Sequence, residues 1–215
     1  MTLQAEIAAV MRNFSPPKGL EGPLNAARSV KTAFEQNFDT SSTIQVGAKF
    51  PSFQLPDANG KEVSSTELLA KGPLLVLFFR GSWCVFCATM LRFLQQHAAA
   101  FEAKGVTLVA VSPERPQIAH ETLDKLGLSF RVLSDACNGL AHQLGIVWKQ
   151  PPEMVTILNG LGVDLVEKNG DDKWEVPVPS TFLVDRDGVV RNAAVEPDYT
   201  KRLEPETMLE WIDQL

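Results

Sequence analysis

Residues Leu74-Leu75-Val76-Leu77-Phe78-Phe79 are apolar at every position, with no alternation. A strand with one wet face alternates, whereas a strand buried on both faces does not. The run has the length of a strand and falls far short of the roughly 20 residues that span a bilayer. It is therefore predicted to be an inner strand of a parallel sheet covered on both sides. Gly72-Pro73 precedes it and Arg80-Gly81-Ser82-Trp83 follows it, so the chain turns at both ends. Beyond the second turn Leu91, Leu94, Ala98 and Phe101 recur at helical spacing, and Gly105 closes that helix.

The remaining pattern agrees with strands and helices in alternation. Val63 leads into a short polar helix through Leu69, and Val106 to Val111 reads as a second buried strand. Pro116 to Leu126 reads as a helix, Phe130 to Leu133 as a strand and Asn138 to Leu144 as a helix. Such alternation implies an α/β sheet with right-handed crossovers. Thr181 to Val184 and Val189 to Ala193 flank Asp185-Arg186-Asp187-Gly188, a hairpin signal. A last helix starts at Pro205 and has Met208, Trp211, Ile212 and Leu215 as its apolar face. Between these lies Val147 to Pro179, rich in proline and glycine. It reads as a long surface excursion with one short helix over Glu153 to Leu161, the kind of segment that forms lids.

Residues 1–45 read as a helical arm in front of a main domain over residues 46–215. Leu3, Ile7, Val10, Met11 and Phe14 share one helical face that ends at Pro16-Pro17, and Leu24, Ala27, Phe34 and Phe38 share another. Asp39 to Thr43 is a polar linker. An amphipathic helix left alone would expose its apolar stripe, so the arm should pack on the domain or on a second copy of the chain. That leaves a homodimer open.

Composition narrows the function. Lysine plus arginine is 20 and aspartate plus glutamate is 26, a net charge of −6, so no basic face is expected and nucleic acid is excluded as a partner. No targeting segment or membrane span is evident, and a reducing cytoplasm is the expected compartment. Three cysteines are too few, and an odd number, for a disulfide scaffold. No G-x-S-x-G elbow, phosphate-binding loop or G-x-G-x-x-G run appears, and neither a cofactor nor a metal is expected.

Two cysteines stand together as Cys84-Val85-Phe86-Cys87 at the strand-to-helix turn. Unpaired N–H groups and the helix dipole there favour thiolate over thiol, so both cysteines are expected to have lowered pKa values. One helical turn separates them, close enough to form a disulfide. Arg80 could add a fixed cation and Trp83 a wall. Structural thiols are one alternative; zinc held by Cys84, Cys87, Cys137 and His142 is another, although Cys137 and His142 make a poor second pair. Cys137 reads as a packed bystander, and His97, His120 and His142 as surface residues. Pro179 stands at a strand entrance, where proline fits because it cannot donate to the ladder. A cis Val178–Pro179 bond is one reading of it, although only roughly one X–Pro bond in twenty is cis.

The run Leu74 to Gln95 resembles the peroxiredoxin-like branch of the alkyl hydroperoxide reductase/thiol-specific antioxidant family, within the thioredoxin-fold superfamily. Val46 to Phe53, Phe130 to Asp135, Pro179 to Asp185 and Asp198-Tyr199-Thr200-Lys201-Arg202 resemble it as well. The resemblance implies a thioredoxin-like α/β fold, a central mixed sheet flanked by helices, with the N-terminal helical extension outside the common core. It implies Cys84 and Cys87 as catalytic residues, with Arg80, Ser82, Trp83 and Pro179 in support. The peroxiredoxin loop, Pro-x-x-x-Thr-x-x-Cys, is not reproduced: neither cysteine has the threonine three positions before it. The arginine that peroxiredoxins place before the late strand falls on Pro179, the position of the thioredoxin proline. Two activities follow, and a non-catalytic redox-sensing or binding module is a third reading. One is peroxide reduction through a Cys84/Cys87 dithiol–disulfide cycle; the other is reduction of protein disulfides by the same pair. In either case the partners are a peroxide or disulfide substrate and an external thiol reductant such as thioredoxin or glutathione.

Overall fold

A computed structural model of the chain describes residues 2–215. Its helices and strands, in chain order, begin with α1 (Leu3–Asn13), α2 (Glu21–Asn37), β1 (Gln54–Pro56), β2 (Glu62–Ser64), α3 (Ser65–Leu69) and β3 (Leu74–Phe78). Next come α4 (Val85–Ala103), β4 (Thr107–Ser112), α5 (Pro116–Leu126), β5 (Arg131–Ser134), α6 (Gly139–Gln143) and β6 (Val147–Lys149). The chain finishes with α7 (Pro152–Gly160), α8 (Leu165–Asn169), β7 (Glu175–Pro177), β8 (Ser180–Val184), β9 (Val190–Val195) and α9 (Pro205–Asp213).

The central sheet runs β5-β4-β3-β8-β9. β3, β4 and β5 are parallel; β8 is antiparallel to β3, and β9 to β8. The sheet is therefore mixed, and the Asp185–Gly188 turn makes the β8–β9 hairpin. All five residues of β3 are buried. Successive side chains of a strand point to opposite faces. Accordingly, Leu75, Leu77 and Phe79 join one core with Leu91, Leu94 and Met208, while Leu74, Val76 and Phe78 join the other with Val109, Leu133 and Phe182. The absence of alternation in the sequence is thus the mark of a strand between two cores.

Both arm helices pack on this body. Leu3 and Ile7 of α1 are 0% exposed and lie in the core that contains Cys84, Cys87 and Leu91, so α1 docks on α4. Burying each such side chain is worth about 1.5–3 kcal/mol. On the other side of the sheet, α2 packs on α7, and Phe34 stacks on Trp148 with ring centroids 4.3 Å apart.

The excursion between residues 147 and 177 is more ordered than its composition suggests. β6 and β7 pair antiparallel, and Leu158, Leu165 and Val176 form a small core of their own. The prolines delimit this structure: Pro151 caps α7, Pro152 occupies its first turn and Pro177 ends the edge strand β7. The three-residue strands β1 and β2 lacked enough residues to show a period. Cys137, expected to be packed, is exposed, because the tight turn between β5 and α6 holds it at φ 57° and turns it away from the core.

Candidate active site

β3 delivers the chain to the edge of the sheet, and a tight turn carries it into α4. Gly81 sits at φ +145°, and a Cβ there would come 2.4 Å from Trp83 Nε1 and 3.1 Å from Glu114 Cδ. Only glycine lets the chain pass between that indole and that carboxyl. Cys84 then occupies the cap position of α4, and its carbonyl accepts the N–H of Ala88 at 2.9 Å. Cys87 follows one turn on, and its backbone N–H and thiol favour the charged form of Cys84. Both cysteines are free, and they are buried: Cys84 is 4% exposed and Cys87 is 0% exposed.

Two guanidinium groups flank the sulfurs. Arg80 is only 3% exposed, with Nη1 4.0 Å from Cys84 Sγ and Nη2 donating to Gln150 Oε1 at 3.4 Å. Its guanidinium carbon lies 4.1 Å from the Tyr199 ring centroid, 4.7 Å from that of Trp83 and 5.9 Å from that of Trp148. Among the described residues no carboxylate forms an ion pair with it. On the other flank, Arg202 Nη2 lies 3.2 Å from Cys87 Sγ, and Arg202 Nη1 donates to the carbonyls of Tyr199 and Lys201 at 2.7 and 2.6 Å.

This environment divides the two thiols. Burial opposes ionisation of Cys84, but the Cys87 hydrogen bonds and the charges of Arg80 and Arg202 outweigh it and hold that thiol down at about 5. Burial raises Cys87, and the hydrogen bond and negative charge of Cys84 raise it further, well above an ordinary thiol. The expectation that both would be lowered holds only for Cys84. The helix N-terminus can stabilise one negative charge, and a second thiolate beside the first is repelled.

Glu114, just beyond β4, is 0% exposed and grips the turn. Its Oε2 accepts the Ser82 N–H at 2.7 Å and its Oε1 accepts the Ser82 hydroxyl at 2.8 Å. Burial pushes the carboxyl up to about 6, against the two Ser82 bonds and the charge of Lys168. A raised carboxyl stabilises the fold most below its unfolded value and loses that contribution as the pH rises through about 6. In a Cys84→Ser background, where the thiolate does not titrate, Glu114→Gln should therefore flatten the fall in thermal midpoint between about pH 5 and pH 7. An unchanged slope would show that Glu114 does not govern it.

The expected supporting residues occupy distinct places. Arg80 faces Cys84 directly. Ser82 points at Glu114 and fixes the turn. Trp83 lies between Arg80 and the small core of Leu158, Leu165 and Val176, with its Nε1 buried and without a partner. Pro179 is buried just before β8, where the pairing of Phe78 with Ser180 sets it beside the end of β3. The Val178–Pro179 bond is trans, not cis; the chain runs straight into β8 while Val178 N–H donates to the Ile146 carbonyl and Glu196 N–H to that of Pro179. The zinc set is not assembled: among the described residues no three His, Cys, Asp or Glu side chains cluster, and His142 pairs with Glu175 at 2.8 Å.

Arg202, Glu114, Gln150, Tyr199 and Trp148 join the site although sequence reasoning gave them no role. Glu114 had one usable signal. It follows a parallel strand, and sites gather at the carboxyl ends of such strands. Arg202 and Tyr199 lay within a resembling segment, whereas Gln150 and Trp148 sit in the excursion, where no pattern distinguished them.

The AhpC/TSA family matches residues 46–193. Thiol-disulfide oxidoreductase ResA of Bacillus subtilis is 31% identical over 161 residues, which cover 74% of this chain and 72% of that protein. ResA of Geobacillus thermodenitrificans is 26% identical over 161 residues, 74% of this chain and 75% of that protein. Among solved structures, peroxidoxin BcpB of Mycobacterium tuberculosis superposes with a TM-score of 0.62 at 19% identity, covering 80% of this chain and 98% of that one. The mitochondrial 2-Cys peroxiredoxin of Plasmodium falciparum does so with a TM-score of 0.61 at 16% identity, covering 79% and 93%. The chain therefore belongs to the AhpC/TSA family and carries its cysteine pair on a thioredoxin-like fold.

Proposed function

We propose that this thiol-dependent oxidoreductase reduces peroxides through a Cys84/Cys87 dithiol–disulfide cycle. The observation that carries the reading is the Cys84 sulfur, only 4% exposed, with the buried Arg80 guanidinium 4.0 Å away. A small peroxide fits such a site better than the disulfide of a folded protein. In the first step the Cys84 thiolate attacks one peroxide oxygen, the O–O bond breaks, and the leaving alkoxide or hydroxide takes a proton; Cys84 becomes a sulfenic acid. The Cys87 sulfur then attacks Cys84, the S–O bond breaks, and the thiol proton leaves with hydroxide as water. An external dithiol or two equivalents of a monothiol, from thioredoxin or glutathione, reduces the bridge by exchange.

Reduction of protein disulfides is the second reading, favoured by the Cys-x-x-Cys spacing and by relatives named thiol-disulfide oxidoreductases. It is supported too by the hydroxyls near the pair, since Ser82 Oγ donates to Glu114 and Thr89 Oγ1 to the Val85 carbonyl. Neither is aimed at a peroxide, and peroxide cleavage gains from donors set at the developing charge. Among the described residues no helix is long and apolar enough to cross a membrane.

Stopped-flow peroxide consumption, coupled to a thioredoxin or glutathione reducing system, tests the proposal beside an insulin-disulfide assay. Rapid turnover of hydrogen peroxide or an organic hydroperoxide is expected. Failure to consume either, together with efficient insulin reduction, would transfer the function to the second reading.

A further inference from the structure

We infer that Gln4, in the N-terminal arm, is a positioning residue for the dithiol, because its side-chain amide clamps the loop that sets Arg202 against Cys87. The inference rests on the proposed role of the Cys84/Cys87 pair but concerns a residue far from it in sequence.

The clamp has two sides. Gln4 Nε2 donates to the Thr200 carbonyl at 3.2 Å, and Gln4 Oε1 accepts the Arg202 N–H at 3.4 Å. One amide thus spans the backbone on either side of Lys201. The loop in turn fastens the helix: Glu204 Oε2 accepts the Leu3 N–H and Oε1 the Gln4 N–H, both at 2.9 Å. Thr2 completes the start of α1, accepting Ala5 N–H on its hydroxyl and Glu6 N–H on its carbonyl, each at 3.2 Å. The N–H groups of Leu3, Gln4 and Ala5, which have no intrahelical partner, all have acceptors, so α1 is built to begin at this loop.

The consequence reaches the sulfur through a rigid path. Leu3 and Ile7 are 0% exposed against α4, the helix that opens at Cys84. The loop is therefore tied to the same helix that carries both cysteines. Arg202 has little freedom left: Nη1 is held by the Tyr199 and Lys201 carbonyls, and Nη2 reaches Cys87 Sγ at 3.2 Å. Without the Gln4 amide, the segment from Thr200 to Arg202 loses its two fastenings to α1, and the guanidinium loses its fixed distance to sulfur. Charge-assisted contacts of this kind fall off steeply with misplacement.

The test uses the full chain and reads the thiols, not peroxide turnover. The pH profile of iodoacetamide alkylation and the Cys84–Cys87 equilibrium with a thiol–disulfide buffer are measured for wild type, Gln4→Leu, Gln4→Glu and Arg202→Gln. Gln4→Glu keeps the size and helical preference but cannot donate to Thr200, so it guards against a folding failure of Gln4→Leu. Both Gln4 variants should slow alkylation near about pH 5.5 by about threefold and make the disulfide harder to reduce, in the same direction as Arg202→Gln. Adding Gln4→Leu to Arg202→Gln should change little more, since both act through one group. Arg12→Ala, at the far end of α1, should match wild type. The inference is overturned if the Gln4 variants keep the wild-type profile while Arg202→Gln shifts it, or if Gln4→Leu and Arg202→Gln are fully additive. Should Arg202→Gln itself leave both readouts unchanged, the Arg202 contact and the inference fall together. The peroxidase reading stands or falls separately, on turnover.

Discussion

Cys84→Ser is expected to lower peroxide turnover by roughly a thousandfold or more, whereas Cys87→Ser should complete one turnover and then stop. The asymmetry comes from the environments of the two sulfurs. Cys87 favours the charged form of Cys84, which also sits 4.0 Å from Arg80 Nη1, so Cys84 is the thiol that ionises at ordinary pH. A serine hydroxyl there stays protonated and cannot attack the O–O bond. Cys87 is raised by burial and by the Cys84 charge, which suits a thiol that acts second. Its replacement leaves the sulfenic acid on Cys84 with no partner to close on, so a sulfenic-acid reagent should label Cys87→Ser after one equivalent of peroxide and should not label Cys84→Ser. The reverse labelling pattern would assign the attack to Cys87 and sink the assignment. If both single variants keep turning over, the dithiol cycle itself is wrong.

The parts of this arrangement legible in the sequence are those set by local rules. The six-residue apolar run suits a doubly buried strand, and the cysteine pair, one four-residue turn beyond it, falls where a helix starts. The helix read from Pro116 to Leu126 is present with those bounds, opening on the proline and ending at Gly127, which takes φ 60°. The residues that complete the site obey no local rule. Arg202 reaches Cys87 across 115 positions, and Glu114 reaches Ser82 across 32. Neither has a spacing that betrays the contact, because the sheet and not the neighbouring sequence brings them together. The excursion misled for a different reason. Its prolines signalled irregular chain, yet in the fold they start a helix and end a strand. Burial also decided what the motif could not. A Cys-x-x-Cys at a helix start suggests two reactive thiols, and only the packing shows that one is stabilised as thiolate and the other held protonated.

Arg80→Met is expected to expose how far the thiolate and its cation depend on each other. Methionine is apolar, of similar reach, and can fill the space among Tyr199, Trp83 and Trp148. Two charges about 4 Å apart at an effective dielectric of about 20 attract by about 4 kcal/mol, so the arginine is a large part of what offsets the burial of Cys84. Arg202 remains as a second cation, and the loss should therefore be partial: alkylation of Cys84 near about pH 6 should slow at least about tenfold, and its midpoint should climb from about 5 toward the ordinary thiol range. Stability should respond with a definite sign. Cys84 has a depressed pKa, so its contribution is fully present only above the unfolded thiol value of about 8.5 and is lost as the pH falls through about 5. Below that point wild type holds a buried guanidinium with no counter-charge, since Gln150 is neutral and Arg80 Nε has no partner. The variant carries neither the attraction nor the buried cation. The stability advantage of wild type over Arg80→Met should thus shrink as the pH falls from about 7 to about 4.5, and at the lower end the order should approach reversal. Thermal midpoints of the reduced proteins across that range provide the measurement. A gap that stays constant with pH would mean that Arg80 supports the fold through its stacking on the aromatic rings and not through the Cys84 thiolate.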